Sequence, residues 1–154
     1  MNVTIRKAVR EDLPALLTIN YSSFEANASY DPYINMDWVH TEDAKKHVLD
    51  VITKEGHYAL IAEADTKPVG FLFLSPKQYS YRKVKMIELD MLAVLPEYRS
   101  GGVGKKLLDE AKRWARKHGY QTLYVSSYLK NERAVNFYKR EGFMPIDISL
   151  EFSF

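Results

Sequence analysis

Apolar and polar positions follow two periods along this chain, and the switches between them mark out strands and helices. Val3 and Ile5 alternate with polar neighbours, which predicts a strand. From Glu11-Asp12-Leu13-Pro14 onward, Leu13, Leu16 and Leu17 recur at helical spacing, with Pro14 in the first turn where its missing amide costs little. A second helix is expected from Thr41 or Glu42 to Lys54, stopping at Gly56. His57 to Glu63 and Val69 to Ser75 are apolar runs joined by Ala64-Asp65-Thr66-Lys67-Pro68, a hairpin by composition, and Phe71-Leu72-Phe73-Leu74 requires cover on both faces. A third run, Val84 to Val94, returns antiparallel. Val103, Leu107, Leu108, Ala111, Trp114 and Ala115 then keep helical spacing up to His118-Gly119. Leu123 to Val125 is the next strand, which a crossover helix makes parallel to the one before it. Asn131 starts a shorter helix with Ala134, Phe137 and Tyr138 on one face, ended by Gly142-Phe143. Finally Ile146, Ile148, Leu150, Phe152 and Phe154 alternate with Asp147, Ser149, Glu151 and Ser153, predicting a last, half-buried strand. The order β-α-α-β-β-β-α-β-α-β belongs to the α/β class, a mixed central sheet flanked by helices.

Composition narrows the function classes. A length of 154 residues suits one domain, residues 1–154, large enough for a core without staples. There is no cysteine for redox chemistry, and the four histidines have no metal-ligand spacing. A net charge of +2 is too small to indicate nucleic acid, and the basic, aromatic stretch Lys77 to Lys85 reads as a solvated hairpin tip. No run approaches about 18 apolar residues, so the expectation is a soluble, cytoplasmic protein with neither nucleic acid nor a membrane as partner.

The informative stretch is Ile87 to Lys106, IELDMLAVLPEYRSGGVGKK. A strand holding two carboxylates runs into Pro96, Arg99 and a Gly101, Gly102, Gly104 cluster that opens a helix. Glycines let an anion reach the backbone amides of Ser100, Gly101, Gly102, Val103, Gly104 and Lys105, which have no acceptor inside the helix they begin. The helix dipole adds partial positive charge, and Arg99 and Lys105 would bracket a diphosphate. A Walker loop fails here because Lys106 stands where Ser or Thr is needed and Arg99 where the first glycine is needed. A dinucleotide fingerprint fails because its third glycine falls on Leu107.

On these residues the chain resembles the GCN5-related N-acetyltransferase (GNAT) family. The family's acetyl-coenzyme A loop, Gln or Arg, two residues, Gly, one residue, Gly or Ala, is matched by Arg99, Gly102 and Gly104, after a V-x-P-x-x lead-in at Val94 to Tyr98. A second signature, N-x-x-A-x-x-F-Y-x-x-x-G-F, is matched without gaps by Asn131, Ala134, Phe137, Tyr138, Gly142 and Phe143. The resemblance implies acetyl-coenzyme A as cofactor and an amine as acceptor. It implies that Leu92, Ala93 and Val94 offer backbone groups to pantetheine, and that Asn131 and Tyr138 also contact the cofactor.

Acyl transfer from a thioester to an amine needs a free amine, a stabilised oxyanion and a proton for the leaving sulfur. A lysine-like amine titrates near ~10.4, so under about one in a thousand is reactive at neutral pH and a base is useful. Glu88 and Asp90 lie two residues apart on one strand, on a face expected to carry Val84, Met86, Leu92 and Val94 as well; Glu88, at the strand position from which the resemblance implies that some family members supply the base, is the first candidate and Asp90 the second. Tyr138 fits the family position for a proton donor to sulfur; otherwise it is a buried helix tyrosine. Residues 22 to 40 form an aromatic, acidic loop in which Phe24, Tyr30, Asp31 and Tyr33 are candidate acceptor contacts, by charge and cation-π attraction. The function expected is N-acetyl transfer to a primary amine of a small molecule, peptide or protein. The alternative is a non-catalytic acyl-coenzyme A-binding or sensor protein, and a homodimer is left open.

Overall fold

A computed structural model describes residues 1–154. Five strands, β1 (Val3–Lys7), β2 (Tyr58–Ala64), β3 (Lys67–Pro76), β4 (Met86–Val94) and β5 (Thr122–Val125), make one sheet in the order β1-β2-β3-β4-β5. The first four are antiparallel; β4 and β5 are parallel, joined through α3 (Val103–Lys117) as a crossover demands. α1 (Leu13–Asn27) and α2 (Glu42–Thr53) precede β2, and α4 (Glu132–Arg140) follows β5. No helix is long and apolar enough to cross a membrane.

The alternation read in the sequence sorts the core into two layers. Leu60, Leu72, Leu74, Ile87 and Leu89 pack on Leu107, Leu108 and Ala111 of α3. Ala59, Ile61, Phe71 and Phe73 face the other way, onto Leu16 and Ile19 of α1 and Val48 and Val51 of α2. Thus the Phe71 to Leu74 run is covered on both sides, each of its side chains fully buried. The β2–β3 hairpin closes through Asp65 and Thr66, whose φ values of 49° and 72° are those of a two-residue turn matched to strand twist.

Arg6 ties the entry of α1 to the sheet: its guanidinium donates to both Asp12 oxygens at 2.8 and 2.9 Å and to Glu63 at 2.6 Å. The hydrogen bond from Arg6 holds the Asp12 carboxyl below its usual range. Caps mark two helix starts. Thr41 accepts from the Ala44 amide at 3.2 Å, and Asn131 from the Ala134 amide at 3.1 Å.

Two expectations are corrected. First, residues 144–154 form no strand. Five of their apolar side chains, Met144, Ile148, Leu150, Phe152 and Phe154, are 64% or more exposed. Alternation supplies the pattern of a strand, but a strand also needs backbone pairing, and no backbone hydrogen bond joins this segment to the open β5 edge or to any other part of the chain. Second, Glu88 and Asp90 do not share a face with Leu92 and Val94. The β3–β4 register slips, so that Phe73 sits opposite Met91 and Leu74 opposite Leu89, leaving Asp90 as the extra residue of a β-bulge. Ile87 and Leu89 before the bulge, and Leu92 and Val94 after it, all pack on the α3 side, while Met91 and Ala93 join the α1–α2 side. A smaller difference concerns α1, which runs on to Asn27 and carries Phe24, so the aromatic loop begins after it.

Candidate functional site

β4 and β5 are paired only from Met86↔Thr122 to Leu89↔Val125. Beyond the bulge the two strands part, and Asp90 to Val94 keep no partner on the β5 side. Into this opening look α1, the loop after β5 and the start of α4. Together they bound a cleft of roughly 520 Å³ lined by Asn20 and Phe24 of α1, by Asp90, Leu92 and Ala93, and by Tyr128, Asn131 and Tyr138. Such parting exposes strand amides and carbonyls to an extended ligand without disturbing the core.

At the end of β4 the short turn Pro96–Tyr98 delivers the chain to the glycine loop. Ser100 and Gly102 have φ of 67° and 79°, the kind of curl that turns successive amides toward one concavity. None of the amides from Ser100 to Lys105 donates to an acceptor in the chain; the first helical bond is that of Lys106 to the Gly102 carbonyl, at 3.0 Å. A Cβ built on Gly102 meets nothing within 4 Å, so the space over the loop is open. Six orphan donors at the N-terminus of a 15-residue helix fit the diphosphate of a coenzyme A.

The cations around this loop differ from expectation. Arg99 is placed as read, its Nε donating to the Val94 carbonyl at 2.8 Å. Lys105 is turned away, its Nζ 2.9–3.0 Å from the Asp109 carboxylate and 3.4 Å from Glu141. A carboxylate one helical turn on competes successfully for a flexible lysine. In its place stands Arg133 of α4, whose Nη2 donates to Ser100 Oγ at 3.3 Å. Burial first, and then the like charge of Arg133, push the Arg99 guanidinium below its usual range, so two arginines stand close enough at this loop to feel each other's charge. Sequence reading missed Arg133, although its place two residues after Asn131, at the start of α4, is where a helix faces the loop.

The structure separates the two candidate bases. Glu88 is held 3.5 Å from Lys77 and does not line the cleft. Asp90 does line it, and its Oδ2 sits 2.8 Å from His47 Nε2 and 3.3 Å from Ser75 Oγ, leaving Oδ1 free. The Asp90 hydrogen bond outweighs burial and raises the His47 pKa above 6.5. His47 lies on α2, far from Asp90 in sequence, and no spacing rule points to it.

Tyr138 reaches the same cleft from α4. Its ring packs edge-on against Phe137 and Phe143, with centroids 5.2 and 5.4 Å away, and burial pushes its phenol up to about 12. The hydroxyl makes no hydrogen bond within the chain, and at neutral pH it holds its proton.

The aromatic loop is brought to the rim rather than the floor. Phe24 lines the cleft and stacks on Trp38, with centroids 5.6 Å apart. Asp31 is already engaged, accepting from Tyr128 Oη at 2.7 Å and from the Tyr33 amide at 2.9 Å, while Tyr30 lies against the Tyr128 ring and Tyr33 is exposed. The Asp31 carboxylate raises the Tyr128 phenol to about 12. Tyr128 and Asn20 are among the lining residues missed from sequence. Asn20 is 3% exposed and its Nδ2 has no acceptor, although from periodicity it is one more residue of a helix face.

Comparison with known proteins places these features. The profile of the Acetyltransferase (GNAT) family matches residues 14–143. An uncharacterised N-acetyltransferase of Methanocaldococcus jannaschii is 26% identical over 91% of this chain, which spans 60% of that relative's length. A spermidine N(1)-acetyltransferase of Thermoplasma acidophilum is 27% identical, with 93% of this chain and 89% of that protein covered. Among solved structures, the PaiA N-acetyltransferase of Thermoplasma acidophilum in complex with coenzyme A superposes with a TM-score of 0.83 at 25% identity, covering 97% of this chain and 94% of that one.

Proposed function

The chain belongs to the acetyltransferase (GNAT) family, and from that premise we propose that its 154 residues work as one domain moving an acetyl group from acetyl-coenzyme A to a primary amine. The observation that carries the reading is the row of six orphan amides, Ser100 to Lys105, ending at the place where β4 parts from β5. An anion-binding loop continuous with an open strand suits a ligand with a diphosphate at one end and an extended amide arm at the other.

Bound there, the cofactor supplies an acetyl group activated as a thioester. The chain's own residues do the rest. The loop amides, with Arg99 and Arg133, would hold the diphosphate, and the groups of Leu92 to Val94 on the side of β4 open toward β5 would receive the arm, the Val94 carbonyl being taken by Arg99. Asp90 accepts the proton of the incoming ammonium at Oδ1 while His47 and Ser75 fix its other oxygen, so the carboxylate cannot turn away. Tyr138 keeps its proton, through burial, for the leaving sulfur. Asp90 is preferred to Glu88 because it lines the cleft with Tyr138, whereas Glu88 is occupied by Lys77.

The acceptor class is a cationic amine entering past Phe24, Asp31 and Tyr128, with the amine itself open between small molecule and peptide. The Thermoplasma relative named for spermidine makes a polyamine the first member of the test panel. Acetyl-coenzyme A is expected to raise the melting temperature of the wild type, and Gly102→Trp, which fills the open space over the loop from a strained φ, to abolish that rise. Thiol release with one amine of a panel of polyamines, amino sugars, amino acids and peptide N-termini completes the test. Stabilisation by the cofactor with no turnover on any amine would favour a binding or sensor role, and no stabilisation would overturn both readings.

A further inference from the structure

Two of the chain's buried residues are polar or charged, Asp12 and Asn20. Asp12 is fully engaged, by the Arg6 guanidinium and the Val9 amide. Asn20 of α1 is not: its Nδ2 is shut off from water and has no acceptor in the chain. Its neighbours on the helix, Leu16 and Ile19, pack into the core with Phe71 and Phe73. At such a place a leucine, close to asparagine in size, would fill the space without burying an amide donor that nothing meets. Folding makes no use of this donor, so its use lies with a ligand.

The position of Asn20 says which part of a ligand it meets. Asn20, Ser23, Phe24 and Asn27 recur at helical spacing along the wall that α1 gives to the cleft, with Asn27 in the last turn of the helix and Asn20 the most buried. β4 contributes Asp90 and Met91 at its bulge to the same cleft, and Tyr138 enters from α4. Of the polar side chains in the lining, Asn20 alone is buried. A dry site is where a hydrogen bond to developing charge has most effect. The terminal torsion of an asparagine is broad and twofold, so the amide can turn its donor into the cleft with α1 in place.

Acetyl transfer involves three polar atoms: the amine nitrogen, the sulfur and the acetyl oxygen. Asp90 takes a proton from the first and Tyr138 gives one to the second, which leaves the oxygen, an acceptor, in need of a donor. We propose that Asn20 is that donor, a third catalytic side chain whose Nδ2 hydrogen-bonds the acetyl oxygen; this rests on the acetyl-transfer function proposed for the site. The oxygen gains negative charge as the amine nitrogen bonds to the carbonyl carbon, and returns the electron pair as the carbon–sulfur bond breaks. Asn20 holds it through both steps. The same bond selects a ligand with a carbonyl beside its sulfur over one without, because the second leaves the buried amide unpaired.

Binding of two coenzyme A derivatives tests this apart from turnover. Acetyl-coenzyme A and S-ethyl-coenzyme A differ only in whether the carbon beside sulfur carries an oxygen. Calorimetric titration of the wild type is expected to favour the acetyl ester by about tenfold. Asn20→Leu should bind the two alike and keep wild-type affinity for coenzyme A itself. It should also unfold at no lower urea concentration than the wild type, since it loses an unpaired donor rather than a contact. Asn20→Asp, which keeps the shape and exchanges the donor for an acceptor, should lose the preference too. Equal affinity of the wild type for the two ligands, or a preference kept by either folded variant, would overturn the proposal and leave the cofactor reading standing. Failure of both variants to fold would do the same, by making Asn20 a packing residue. No binding of coenzyme A to the wild type would overturn both.

Discussion

Tyr138 and Asp90 come to one cleft from different elements, and the environment of each suits the part proposed for it. Burial raises the phenol to about 12, which keeps it protonated, and the absence of a hydrogen-bond partner leaves it free to donate. Tyr138→Phe keeps the ring and removes only the hydroxyl, so turnover should fall about 10²-fold while KM for acetyl-coenzyme A stays near wild type. Steady-state kinetics at saturating amine would check this, and undiminished turnover would return Tyr138 to a packing role. His47 has a different signature. Its pKa in the folded chain is raised, chiefly by the Asp90 hydrogen bond, so its contribution to stability is full below an unfolded pKa near ~6.5 and is lost as pH rises through the folded value. The melting temperature of the wild type should therefore exceed that of His47→Asn by more at pH 6 than at pH 8. An equal gap at both pH values would mean that the pair contributes no proton-linked stability.

At the scale of the element, β4 carries most of the site. Its first half is a central strand paired on both sides, its second half is open toward β5, and the bulge at Asp90 lies at the change. The bulge turns Asp90 toward His47 and returns Leu92 and Val94 to the α3 core. The open half is steadied from the other side by β3, where Gly70 permits close approach: a Cβ there would stand 2.9 Å from the Ala93 carbonyl oxygen. Gly70→Ala should thus cost about 1–3 kcal/mol in urea unfolding. The displaced atom belongs to the segment proposed for the cofactor arm, so KM for acetyl-coenzyme A should rise as well. Unchanged stability would show that β3 and β4 separate there without strain.

Across the whole molecule, what could be read in advance divides by the range of the interaction that decides it. The five strands of the sheet, the four helices, the hairpin at Asp65-Thr66, the Asn131 cap and the glycine loop opening α3 were legible, since each depends on residues within a turn or a strand length of one another. The family was legible because its two signatures are local strings. The pairing of Asp90 with His47, the meeting of Arg133 with Ser100, the diversion of Lys105 to Asp109 and Glu141, and the orphan amide of Asn20 follow from how α1, α2 and α4 seat on the sheet. The last segment is the clearest case. Its alternation was read correctly and its fate was not, because period two states which side chains share a face and leaves open which surface that face will meet. The sequence by itself determined the five strands of the sheet, the four helices, the two-layered core and the glycine loop with its unpaired amides, all products of local periodicity and backbone chemistry. Only the tertiary structure decided which carboxylate enters the cleft, which arginine replaces the lysine and which side of the final segment is left bare, because each turns on a one-residue slip of register or on a contact between elements distant in the chain.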